Sequence, residues 1–312
     1  MRLKVIGSAA GGGFPQWNCN YRLSRAARSG ARGIRPRTQS SLAASADGRS
    51  WVLFNASPDI RQQIAETPEL HPPADGPLRS SPIAAVVLTN ADVDHVAGLL
   101  SLRERQPFAL YASDRVLQVL EANPIFNVLD SDLVPRRKLR SDEEVEIRDA
   151  AGAITGLRVE SFSVPGKVAL YLEDPSRPEA DYGSEAGDTV GLRIRSEAGE
   201  APAFYIPGCA RVGPDLKKRL GQAGTLLFDG TLYTDDEMIT AGVGRKTGGR
   251  MGHIAMSGGS GSIAALADVP IQRRIFVHIN NTNPVLDENS PEHAEVRQAG
   301  WEIAYDGMEI HL

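Results

Sequence analysis

Cysteine is scarce: Cys19 and Cys209 are the only two in 312 residues, and they lie far apart in the chain. Two such residues build neither a disulfide framework nor a cysteine-only metal knuckle, and a reducing cytoplasm is the expected setting. Long apolar runs are missing as well. IAAVVL at 83–88 is far short of the roughly 18 residues needed to cross a bilayer, and the start MRLKVIGSAAGGG reaches glycine before an apolar stretch of signal-peptide length has formed. No membrane segment and no secretion signal are expected. Excess positive charge is absent too: a net charge of −5 and a pI near 5.8 leave no global field to hold nucleic acid or an anionic membrane. Nor does any motif repeat at a period of about 20 to 50 residues, which removes solenoids and propellers.

What is present is an ordinary globular balance, with 41% hydrophobic and 23% charged residues, enough to bury a sizeable core. The length would permit two domains at roughly 150 residues each, but one layered domain over 1–312 accounts for the pattern better. Residues 2–6 (RLKVI), 51–54 (WVLF), 83–89 (IAAVVLT) and 108–111 read as strands, with a helix predicted over 96–105 before Pro107. From 145 the short runs VEIRD, GLRVESFSV, VALYLED, VGLRIRS and AFYIPG read as β structure. The acidic, proline- and glycine-bearing stretch 170–190 reads as a mobile surface loop or lid. Alternation then resumes with a helix at DLKKRL, a buried strand at 225–229, a glycine-rich loop through 242–252, a helix at 262–269 and a strand at 273–279. Strands feeding helices at both ends, with hairpins between, point to an α/β sandwich of mixed sheets rather than a purely parallel one.

Four of the apolar runs end in unusual polar residues: Asn90-Ala-Asp92-Val-Asp94-His95, Pro207-Gly208-Cys209, Asp229-Gly230 and His278-Ile-Asn280-Asn281. Ligands of α/β sheets collect at the carboxyl ends of strands, so these tips can meet in one crevice. Carboxylates at a helix entry are explained by capping; the adjacent His95, and His278 straight after an apolar strand, are not. Asp94, His95 and His278 together make a two-histidine, one-carboxylate set, which holds a metal on one face and leaves positions open. Such a set suits both iron and zinc.

The string T-N-A-D-V-D-H (89–95) resembles the H-x-H-x-D-H signature of the metallo-β-lactamase superfamily, with Asn90 and Asp92 in place of the two early histidines and the final pair kept as Asp94-His95. Longer strings sharpen the likeness: GSAAGGGFPQWNC (7–19), RPRTQSS (35–41), FNASPDIRQQI (54–64), DHVAGLLSLRE (94–104), FDGTLY (228–233), MGHIAMSG (251–258) and HINNTNPVLDE (278–288). They are similar to the pyrroloquinoline quinone (PQQ) biosynthesis protein B family. The resemblance implies an αββα sandwich with two mixed β-sheets, and His278 matches the late-strand metal histidine of the superfamily. It further implies Fe(II)- and oxygen-dependent hydroxylation of the tyrosine ring of a crosslinked Glu-Tyr precursor, with zinc able to occupy the centre of the isolated protein. The alternative it carries is a PQQ or precursor carrier involved in transport, without catalysis. The family's C-x-C-x-x-C cluster is reduced here to Cys19, with Tyr21 and Ser24 in the other places, so a cysteine-type structural zinc site is not expected.

The remaining candidates carry two readings each. His253, in a glycine-rich loop, is a substrate-facing acid or base beside the metal, or a loop histidine bonded to backbone. Asp229 orients a ligand histidine, as metal-bound imidazoles require, or forms a turn before Gly230. Arg37, in the run Arg22, Arg25, Arg28, Arg32, Arg35, Arg37, pairs with the carboxylates of an acidic precursor or belongs to a solvated face. Asp92 and Asn280 adjoin the metal as substrate contacts or serve as cap and turn residues. His71, His293 and His311 read as surface residues. The Gly11-Gly12-Gly13 loop fits no dinucleotide fingerprint and reads as tight turns beside the pocket. A small-molecule substrate is the expected partner, and edge strands of a mixed sheet are compatible with a homodimer.

Overall fold

Apolar runs buried on both faces form strands that need a layer on each side, and the computed structural model, which describes residues 1–174, 176 and 185–312, supplies those layers. The strands in chain order are β1 (Arg2–Gly7), β2 (Ser41–Ser45), β3 (Trp51–Phe54), β4 (Ile83–Val87), β5 (Ala109–Ala112), β6 (Arg136–Lys138), β7 (Glu144–Arg148), β8 (Ile154–Ser163), β9 (Val190–Ser196), β10 (Ala203–Ile206), β11 (Thr225–Asp229), β12 (Arg273–Val277), β13 (Trp301–Ile303) and β14 (Met308–His311). One sheet has the order β14-β1-β2-β3-β4-β5-β6, the other β13-β12-β11-β10-β9-β8-β7. Each is mixed. From β14 to β3 the first sheet is antiparallel and from β3 to β6 parallel; the second is parallel from β10 to β13 and antiparallel from β7 to β10.

Period-two alternation assigns the faces. Val52 and Phe54 of β3 pack between the sheets with Leu227 and Ile275, while Trp51 and Leu53 pack on the outer side with the helix residues Ile60, Val116 and Leu120. On the far side, Leu226 and Phe228 of β11 join Leu216, Leu220 and Val296 under another helical layer. Three cores between four layers make the αββα sandwich expected from the sequence.

Several local expectations differ. The helix predicted over 96–105 is one α-turn, Val93–Val96, followed by a 3-10 segment, Ala97–Leu102. Gly98 forces this course, because it donates to Ala56 O and packs its Cα against the Ala56–Ser57 backbone. VALYLED is not a strand: it holds a 3-10 turn, Leu170–Leu172, whose leucines and tyrosine point outward instead of pairing. The expected lid at 170–190 lies partly outside the described residues, at 175 and 177–184. The 242–252 loop contains a helical turn, Gly248–Met251, capped by Thr247 and ended by left-handed Gly252. The helix expected over 262–269 spans only Ser262–Ala265. Among the described residues, no helix is long and apolar enough to cross a membrane.

Candidate metal centre

β10, β11 and β12 are parallel neighbours, so their polar tips emerge at one edge, and β4 delivers Asn90–His95 to the same place from the other sheet. Asn90 organises this tip. Its Oδ1 accepts the backbone N–H of Asp92 at 2.9 Å and Nδ1–H of His95 at 2.7 Å. With its proton on Nδ1, His95 presents the lone pair of Nε2. That atom is buried and has no hydrogen-bond partner among the described residues, 3.9 Å from Asp94 Oδ2. Burial pushes the imidazole down to about 4, against the opposing field of Asp94, so the lone pair is free at neutral pH.

His278 follows β12 with φ +57, a left-handed conformation that a residue with a side chain rarely adopts and that the surrounding bonds must enforce. Its Nδ1 bonds Thr231 Oγ1 at 2.8 Å, and Thr231 Oγ1 in turn donates to Asp229 Oδ1 at 2.6 Å. Nε2 therefore faces Asp94 Oδ2 at 3.1 Å, an imidazole nitrogen against a carboxylate with one cation's place between them. Burial lowers His278, but the hydrogen bond and charge of Asp94 outweigh it and hold the ring protonated to higher pH than usual. Burial would likewise raise Asp94, yet His95 and His278 hold its carboxyl well below the ordinary range. A metal ion held here would take the place of that shared proton and would satisfy the orphaned His95 Nε2 as well. The donor atoms of Asp94, His95 and His278 lie within 4.8 Å of one another.

Asp229, His253 and His278 form a second group within that spacing. The Asp229 carboxylate is already saturated: Oδ1 accepts from Thr231 N–H and Oγ1–H, Oδ2 from Cys209 N–H at 2.8 Å and His253 Nδ1 at 2.7 Å. Asp229 thus acts as the acceptor that orients His253 directly and His278 through Thr231. His253 stacks on His278 with ring centroids 5.1 Å apart. The Cys209 thiol, buried beside Asp229, is pushed up to about 12 and is no nucleophile.

The other sequence candidates are placed differently. Asp92 sits at the N-cap of Val93–Val96, but its carboxylate accepts Leu170 N–H at 3.0 Å instead of capping the helix. Asn280 donates to Thr282 Oγ1 at 2.7 Å, and among the described residues no hydrogen bond links its side chain to those of Asp94, His95 and His278. Arg37 is buried against Ser8 Oγ at 3.5 Å, in the field of Asp306, and its cleft also holds Asp59 and Glu66, surroundings that repel a substrate carboxylate. Arg28 binds the Gln16, Trp17 and Cys19 carbonyls, and Arg35 pairs with Glu288, so these members of the basic run hold loops together. His71 and His311 are exposed, whereas His293 is half-buried on Val285 O. Gly11 borders the centre: a Cβ added there would lie 3.4 Å from Asp94 Oδ2. Thr231 escaped the sequence reading; its signal is its place two residues after Asp229 at a strand tip.

Asn280 also belongs to a buried chain through Thr282 to Glu237, whose other oxygen accepts Tyr233 N–H at 2.7 Å. Burial pushes the Glu237 carboxyl up to about 7 from 4.5, so its contribution to stability is complete below about pH 4.5 and lost as pH rises through 7. Between pH 5 and 8 the wild-type protein is expected to lose on the order of 3 kcal/mol more than Glu237→Gln. Denaturant midpoints of both proteins at the two pH values measure it; parallel pH dependences would contradict the assignment.

The αββα layers, with an aspartate and two histidines at the sheet tips, define a metallo-β-lactamase-fold protein with a candidate metal centre. A protein-family profile described as "Beta-lactamase superfamily domain" matches residues 50–279. The chain is 56% identical over 312 residues to coenzyme PQQ synthesis protein B of Methylobacterium nodulans, and 54% identical to that of Rhodopseudomonas palustris strain CGA009, covering all of both chains in each case. The crystal structure of Zn(2+)-bound PqqB from Methylobacterium extorquens superposes with a TM-score of 0.94 at 54% identity over the full length of both. A diphosphatase of the PhnP family shares the fold at a TM-score of 0.67 and 20% identity, over all of this chain and 97% of the other. The chain belongs to the coenzyme PQQ synthesis protein B family, within the beta-lactamase superfamily. Its role is in the synthesis of that coenzyme.

Proposed function

We propose that this protein is an Fe(II)- and oxygen-dependent hydroxylase acting on the tyrosine ring of the crosslinked Glu-Tyr precursor of PQQ, in the cytoplasm. The observation that carries the reading is the convergence of one carboxylate and two imidazole nitrogens, His95 Nε2 being buried without a hydrogen-bond partner among the described residues. Asp94, His95 and His278 would hold the metal, which when bound activates oxygen and the phenol; three protein ligands leave the remaining positions for both. Zinc fits the same donors.

The chain's own residues do the rest. Asn90 and Thr231 each hold the Nδ1 side of a histidine, so that both Nε2 atoms are turned to the place the metal would take. His253, its Nδ1 proton held by Asp229, has Nε2 available to accept the phenolic proton of the substrate. Asp92 keeps the Leu170 segment against the centre.

The test is anaerobic loading with Fe(II), then oxygen uptake with and without a tyrosine-derived precursor mimic. Substrate-dependent uptake with a ring-hydroxylated product is expected. No uptake with iron and mimic both bound would reject the hydroxylase and leave a carrier.

A further inference from the structure

We propose that Trp17 is a substrate-positioning residue of the metal centre, its indole stacking on the aromatic ring of a substrate held at Asp94, His95 and His278. The inference rests on the reading of that centre as the site of an aromatic substrate. The chain has three tryptophans. Two are core residues: Trp51 and Trp301 are 1% and 2% exposed, Trp51 lying under Arg2 and Trp301 stacking on Phe276. Trp17 is 85% exposed, and among the described residues no ring or cation packs on its indole. A single exposed apolar side chain usually needs no explanation. What sets Trp17 apart is a main chain fixed in the wall of the metal centre.

The loop that carries Trp17 starts at the centre. Gly11 borders Asp94, and a Cβ added to it would lie 3.4 Å from the carboxylate. The residues before it are joined to the tip that bears His278, since Ala10 N–H donates to Ile279 O and Ile279 N–H to Ser8 O, both at 2.9 Å. Gln16 then folds back across Gly12, where a Cβ would meet its Cγ and Cδ at 3.0 Å, and its Oε1 accepts Asn281 Nδ2–H. Trp17 therefore follows a side chain bonded to the third residue after His278. Arg28 pins the same turn from the other side: Nη1 donates to Cys19 O at 2.6 Å, and Nη2 reaches the carbonyls of Gln16 and Trp17. The backbone of 16–19 is thus held while the indole it carries is unpacked, and a ring presented on a fixed main chain has little entropy to lose on binding. Val93, which precedes Asp94, is 57% exposed and adds apolar surface beside that carboxylate. An aromatic ring is the occupant that suits an indole, because offset and edge-to-face pairs attract beyond the area they bury.

The experiment is calorimetric titration of the zinc-loaded protein with benzohydroxamate and acetohydroxamate, which offer the metal one chelating group with and without an aromatic ring. Trp17→Ala is expected to weaken benzohydroxamate about three- to tenfold and to leave acetohydroxamate within about twofold of wild type. Trp17→Phe is expected to restore most of the loss, and Trp17→Leu, apolar but without a ring, to restore little. Because Trp51 and Trp301 are buried, iodide quenching of the protein's fluorescence reads Trp17. Saturating benzohydroxamate is expected to lower the quenching constant at least about twofold, and acetohydroxamate to leave it unchanged. Unfolding midpoints and zinc content, expected to be unchanged on altering so exposed a side chain, separate folding from binding. Wild-type affinity for benzohydroxamate in Trp17→Ala, an equal loss for both probes, or undiminished iodide access would overturn the proposal. A zinc-saturated wild type that binds neither probe would remove the metal-centre reading and this proposal with it. Ring-dependent binding without hydroxylation of the tyrosine-derived mimic by the iron-loaded protein would remove only the oxygenase reading, and hydroxylation with an unchanged KM in Trp17→Ala would remove only this one.

Discussion

His95→Ala is expected to strip the protein of its metal, from stoichiometric to below about a tenth of a site, while leaving the metal-free fold within about 2 kcal/mol of wild type. The asymmetry follows from the orphaned Nε2. In the metal-free protein this buried nitrogen has no partner, and its desolvation is uncompensated. Removing it takes away a proposed ligand without breaking a hydrogen bond other than the one from Nδ1 to Asn90. Thr231→Val, which deletes the acceptor behind His278, the donor to Asp229 and the contact with His253 Nδ1 at 3.0 Å, is expected to weaken the metal about 10- to 100-fold and retain some occupancy. Metal analysis after gel filtration, with unfolding midpoints in the presence and absence of chelator, reads both effects. Wild-type metal content in His95→Ala would exclude it from the centre.

Gly98→Ala is expected to be among the most damaging single-methyl changes in the chain, at about 3 kcal/mol or more. The added Cβ would fall 2.1 Å from Ser57 O and 2.7 Å from Ala56 O. Both are backbone atoms, and neither can step aside: Gly98 N–H donates to Ala56 O at 2.9 Å, and Ala56 N–H donates to His95 O at 2.8 Å. Any displacement is passed to the main chain of His95, so metal occupancy is expected to fall along with stability. Gly30→Ala is the control: its Cβ meets nothing within 4 Å, and only the φ of +68 opposes it, a cost of about 1 kcal/mol. Denaturant midpoints for the two variants test the distinction, and a Gly98→Ala protein as stable as Gly30→Ala would refute it.

The strand cores and the tips of β4, β11 and β12 were legible in the sequence because they are local. An apolar run covered on both faces and then broken by Asp, Asn or His announces both a buried strand and the place where its polar end must be used. The short helices were not legible to their true ends. Val93–Val96 turns into a 3-10 segment because Gly98 meets the Ala56 carbonyl, and helical periodicity carries no trace of that contact.

The sequence by itself determined the layered α/β architecture and the family, and singled out Asp94, His95 and His278 as candidates, since apolar patterning and residue type at strand ends are properties of short segments. Tertiary structure alone decided that Asp94 meets a histidine 184 positions away, that Asp229 spends its lone pairs on Thr231, Cys209 and His253, and that Arg37 sits with Asp306 while Lys167 and Arg250 share Glu173. Those choices are made by packing between sheets and loops distant in the chain, where hydrogen-bond direction and charge in a dry interior discriminate among partners that composition and spacing leave equivalent.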